Sequence, residues 1–110
     1  RASRATAQLL KEGYDVFAAP GDIADSQQVE NLFQLIEQRR ECIDVLVNNA
    51  GVEPVSSIFE HSLQDWRHAL DTNLTGAFLC TRQAALRMRE QGRGAIINIA
   101  SIAGKSQPLY

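Results

Sequence analysis

Only two cysteines occur in the chain, no long apolar run, and no excess of positive charge. Each absence removes a class of protein. Cys42 and Cys80 form neither a CxxC pair nor a disulfide framework, which fits a reducing compartment rather than a small secreted scaffold. No apolar stretch approaches the roughly 18–20 residues a bilayer span needs, so no membrane association is expected. No charged-then-apolar leader opens the chain, and the expected location is cytoplasmic. With 11 basic against 13 acidic side chains and a net charge of −2, the sequence lacks the basic surplus of a general nucleic-acid binder. Repeats, low-complexity tracts and linker-like stretches are missing as well. His61 and His68 find no third partner at metal-ligand spacing, so no metal site is expected.

What remains is a 110-residue chain, 45% hydrophobic, long enough for one domain. A compact domain of that size would bury roughly 65% of its unfolded surface. Helical and strand patterns alternate along it. Arg1 to Glu12 is rich in helix formers, with Gly13 at the position of a left-handed cap. Asp15 to Ala19 is a short apolar run that stops at Pro20-Gly21 and predicts a buried strand. Asp25 pairs with Gln28 as a capping signal, and Val29, Leu32, Phe33 and Ile36 follow at helical spacing to about Gln38. Ile43 to Val47 predicts a second strand, broken by Asn48-Asn49-Ala50-Gly51, and a loop runs on to His61. Ser62 with Asp65 opens the longest helix, 62–91, with Trp66, Ala69, Leu70, Ala77, Cys80, Ala84 and Met88 on one side. Ala95 to Ala100, apolar but for Asn98, is the third strand, and Ser101 stands at its tip. Continuous apolar strands separated by helices indicate an open α/β fold with parallel pairing and helices on both faces.

Ligands of such sheets bind outside the carboxyl ends of the strands. Three clusters fall there: Gly21-Asp22-Ile23, Asn48 to Gly51, and Ser101. Taken one at a time each has a purely structural reading. Asp22 can form a turn, Gly51 can serve a positive φ, and Ser101 can cap a helix. Their shared edge is what favours a site. Asn73 interrupts the apolar stripe in mid-helix, with Gly76 close behind, and both weaken a helix. Asn73 either satisfies a neighbouring loop or marks a kink that frees a carbonyl for water or ligand. Cys80 reads as core, Trp66 as packed, and Arg87, Arg89 and Arg93 as solvated charges near a helix C-terminus.

At these residues the chain resembles the short-chain dehydrogenase/reductase family, in its shorter, oxidoreductase branch. Gly21-Asp22-Ile23-Ala24-Asp25 is similar to the family's GDxxD element and Asp44 to Gly51 to its DxLVNNAG element. Asp71 to Gly76 is similar to the xxNLxG stretch, and Ile96 to Ser101 to the strand that ends in the catalytic serine. The likeness runs along essentially the whole chain, with the four elements in order. It implies a Rossmann-like doubly wound parallel sheet and an NAD(P)-dependent oxidoreductase acting on an alcohol or ketone, 3-oxoacyl reductase-like or sugar/polyol dehydrogenase-like. Catalytic roles are implied for Ser101, as donor to the substrate carbonyl, and for Asn73, whose backbone carbonyl would hold a water in a proton relay. For the cofactor, NAD or NADP, Asp22 would accept from the adenine amino group and the Ile23 N–H would meet the ring. Asn48 would brace the sheet, while Ala50 and Gly51 pass close to the ribose. Relatives pair long helices across a two-fold axis, and Leu74, Phe78 and Leu86 on the outer face of helix 62–91 suit a homodimer or homotetramer.

Two parts of the family pattern do not occur here: the glycine-rich TGxxxGxG loop and the YxxxK pair. Tyr110 follows Ser101 too closely for the family's tyrosine and reads as a loop residue; Arg1 would lie near the cofactor-selecting end of a preceding strand. The resemblance therefore implies that residues 1–110 are the central part of a single NAD(P)-binding domain, an internal fragment inactive alone. In the family's strand order two strands lie between 15–19 and 43–47, a gap of roughly 14 Å at about 4.8 Å per strand. A non-catalytic cofactor-binding or regulatory protein on the same fold is the alternative function, and a purely structural association module a third.

Overall fold

The fold is seen in a computed structural model that describes residues 2–40 and 42–102, so the expectations attached to Arg1 and Tyr110 lie outside it. Helix α1 (Ala2–Lys11) ends as its sequence predicts: Gly13 takes φ 90°, and Tyr14 N–H returns to the Leu9 carbonyl at 3.0 Å. Helix α2 (Ser26–Arg39) starts at Asp25, whose Oδ1 accepts from the amides of Gln27 and Gln28. Gln28 closes the cap with its own side chain, donating to Asp25 Oδ2 and accepting from the Asp22 amide. Chiefly the Gln28 backbone N–H, then its side chain, holds the Asp25 carboxyl below its ordinary value. The charged cap is thus in place above the normal carboxylate titration and is lost as pH falls through the lowered value.

Strands β1 (Val45–Asn48) and β2 (Ala95–Asn98) pair in parallel, Val45 opposite Ala95 and Asn48 opposite Asn98. Between them runs one long helical element: α3 (Leu63–Leu70), a π-helical turn (Asp71–Gly76) and α4 (Ala77–Gln91). Ser62 accepts from the Asp65 amide to start it, and Gly92 at φ 73° stops it. The core is small. Val29 and Phe33 of α2 meet Cys80, Ala84 and Met88 of α4, with Leu46 and Ile96 of the strands beneath. Burial pushes the Cys80 thiol up, as a core cysteine requires.

Four expectations need correction. The run 15–19 forms no strand; it has no ladder partner among the described residues, and a strand exists only by pairing. What holds it comes from the end of α2: Arg40 pairs with Asp15 at 2.7 Å, and Arg39 stacks on Phe17. Secondly, β1 begins at Val45 rather than Ile43 because Gln91 of α4 takes both backbone groups of Ile43, donating to its carbonyl and accepting from its N–H. Thirdly, Arg87 is not solvated. It pairs with Glu37 and lies over the Phe33 ring, so its side chain is only 19% exposed. Finally, Trp66 and Leu70 are turned outward. A π-turn takes up more residues than an α-turn, so it shifts the phase of the stripe. The inward row becomes Ala69, Thr72, Gly76, Cys80, Ala84 and Met88, while Trp66, Leu70, Leu74 and Phe78 form an exposed apolar row.

Helix α4 covers one face of the sheet, with α2 packed against it. On the other, Val45, Val47 and Ile97 stay about half exposed. The total surface is 8875 Å². A compact 12.2 kDa protein exposes about 6,100 Å² and its unfolded chain about 17,700 Å², so this chain buries only about half its surface. The 110-residue chain expressed by itself is therefore expected to bind a hydrophobic dye and to melt without a cooperative transition. A sharp thermal transition with native-like near-ultraviolet dichroism contradicts this.

Candidate active site

The π-turn brings Asn73 to the loop that leaves β1. Its amide grips one residue in both directions: Val52 N–H donates to Asn73 Oδ1, and Asn73 Nδ2 donates to the Val52 carbonyl, both at 2.8 Å. An amide is the side chain that can do this, since it offers donor and acceptor side by side. The first of the two readings of Asn73, a side chain satisfying a neighbouring loop, is thus realised. The π-turn is also a helix irregularity of the kind the second reading invokes.

Around this grip lies an open cleft of about 500 Å³, walled by Asn49 to Glu53, Asn73 and Ile99 to Ser101. Gly51, Asn73 and Ser101, far apart in sequence, therefore line one cleft. A second cleft of about 360 Å³ adjoins it across Ala50, Asn73 and Ile99, and reaches Asn48, Thr81 and Asn98. Asn48 Nδ2 donates to Asn98 Oδ1 across the ladder at 2.8 Å and to Thr81 Oγ on α4 at 3.0 Å. It ties strand to strand and sheet to helix. Asn98 was visible as the polar exception in its strand, but Thr81 and Glu53 carried no signal of their own in the sequence.

Asp22 and Ile23 do not line these clefts. Asp22 Oδ1 accepts from the Ala24 amide at 2.9 Å, so the turn-forming reading is realised. Ile23 packs against the same long helix: a Cβ on Gly76 would lie 2.7 Å from its Cδ1 and Cγ1. Gly76 is needed for this close approach, which explains a helix-weakening residue in that position. Gly51 is different. Its φ is not positive, and a Cβ there would meet only Asn73 Oδ1 at an ordinary 3.5 Å. Neither backbone conformation nor protein packing demands glycine, so the positive-φ reading fails, and the missing side chain leaves room on the cleft wall. That is the fit a ribose or ring approaching the backbone would require.

Residues 1–109 match the short chain dehydrogenase family. The chain belongs to that family. Among similar proteins, an uncharacterized oxidoreductase of Thermotoga maritima is 43% identical over 103 residues, covering 92% of this chain and 40% of its own length. A 3-oxoacyl-[acyl-carrier-protein] reductase of Synechocystis is 37% identical, with 94% and 42% covered. Among solved structures, a gluconate 5-dehydrogenase from Burkholderia cenocepacia, in complex with NADP and tartrate, superposes with a TM-score of 0.88 at 31% identity over 97% of this chain and 42% of that one. The chain thus spans about two fifths of the length of the short chain dehydrogenases it matches. The architecture is Rossmann-like α/β, of which these residues build an incomplete sheet.

Replacing Asn73 with Ala in the full-length protein leaves both backbone groups of Val52 without their partner, a loss of about 1–2 kcal/mol. The Val52 amide should then exchange its hydrogen roughly tenfold faster or more. Unchanged exchange at Val52 means the loop is held by something else.

Proposed function

We propose that residues 1–110 are the central part of an NAD(P)-dependent oxidoreductase that moves hydride between a nicotinamide cofactor and an alcohol or ketone. The observation that carries this reading is the single cleft lined by Gly51, Asn73 and Ser101. Bound nicotinamide supplies the hydride acceptor or donor; in oxidation the alcohol carbon loses a hydride and the hydroxyl a proton. The chain's own residues do the rest. Ser101 hydrogen-bonds the substrate oxygen and stabilises the charge on it as hydride moves. The Asn73 carbonyl, in the π-turn, holds a water on the path of the proton. Asp22 accepts from the adenine amino group, and the Ile23 N–H meets the ring. Ala50 and Gly51 lie against the ribose, with Asn48 keeping both strand ends in register. The preference between NAD and NADP belongs to residues outside these four elements.

The same reading extends to assembly and location. The exposed row Trp66, Leu70, Leu74 and Phe78, with Leu86, offers an apolar helix face for a homodimer or homotetramer. Among the described residues no helix is long and apolar enough to cross a membrane, and we assign the protein to the cytoplasm.

In the full-length protein, Ser101→Ala should lower turnover by about a hundredfold or more while the cofactor dissociation constant holds, as expected for one lost transition-state donor. Unaltered turnover removes Ser101 from the mechanism. Asp22→Ala should do the reverse, weakening cofactor binding with little effect on the chemical step. Equal cofactor affinity in the two proteins, measured by nicotinamide fluorescence, rejects that assignment.

A further inference from the structure

The cleft that holds Ser101 has one ionisable side chain among its lining residues, Glu53. The other polar walls are neutral: the amides of Asn49 and Asn73, the Ser101 hydroxyl, and backbone. Glu53 is exposed, and no hydrogen bond or ion pair engages it among the described residues. It also follows directly on Val52, the residue gripped by Asn73, so the chain is anchored where this carboxylate begins. An acidic group that lines a cleft of otherwise neutral hydrogen-bonding groups, with no countercharge among the described residues, has a definite preference. It accepts from hydroxyl or ammonium donors and repels a carboxylate.

We propose that Glu53 is a specificity-determining residue, selecting an uncharged polyhydroxylated substrate over its carboxylate counterpart. The inference rests on the reading of the Ser101 cleft as the substrate site. In an open cleft the repulsion between two carboxylates about 6 Å apart is largely screened by water, and amounts to about fivefold in affinity.

The test uses the full-length protein saturated with cofactor, and calorimetric binding of two probes, glucitol and gluconate. Glucitol is expected to bind about fivefold more tightly than gluconate at low ionic strength, with the gap closing at high salt. Glu53→Gln, which keeps the shape and removes the charge, should close it as well, and Glu53→Lys should invert it. Gluconate binding as tightly as glucitol, binding of neither, or a gap that survives Glu53→Gln overturns the proposal. Two failures stay distinct. A protein that does not bind nicotinamide cofactor loses the oxidoreductase reading altogether, whereas cofactor binding with an unaltered gap removes only the role of Glu53.

Discussion

The two hydrogen bonds between the Asn73 amide and the Val52 backbone join two of the segments that line the Ser101 cleft. On one side is the loop leaving β1; on the other is the long helix that follows it. A loop of the sequence Asn49 to Val52 has no repetitive hydrogen bonding of its own, so its path must be set from outside. Asn73, in the π-turn of the long helix, holds it at Val52. The clefts on both sides of Asn73 owe their shared wall to that contact.

A second tie works at the same level. Asn48, opposite Asn98 in the ladder, holds both the neighbouring strand and Thr81 of the helix. The carboxyl ends of the two strands are therefore fixed to each other and to the element that carries Asn73. At the opposite end of the sheet Gln91 does similar work on Ile43. Polar side chains, rather than a large apolar core, locate the ends of this sheet. Among the described residues the core has five buried hydrophobic side chains, and the outer sheet face is left open.

How far the sequence could be read depended on the range of the interaction. Caps were visible because they are local: Asp25 with Gln28, Ser62 with Asp65, and the glycines at 13 and 92 all act within one turn. The strand around 15–19 was misjudged because an apolar run specifies only a wish for burial, and pairing needs a neighbour distant in sequence. Arg87 looked solvated because nothing near it announces Glu37 or Phe33, which come from another helix. The inner stripe of the long helix was drawn with a constant period. The π-turn broke that period, and Trp66 and Leu70 turned outward as a result.

The sequence by itself determined the order and type of most elements, the family likeness and the identity of the residues at the strand ends. Those follow from local periodicity, capping chemistry and four motifs in a row. Only the tertiary structure decided that Asn73 grips Val52, that Gly76 makes room for Ile23, and that Gly51 is free of any demand from φ or packing. It also put Glu53 in the same cleft as Ser101. Each of these depends on how a helix of altered pitch lies across a two-stranded sheet. That orientation comes from contacts between residues far apart in the chain, which no local pattern encodes.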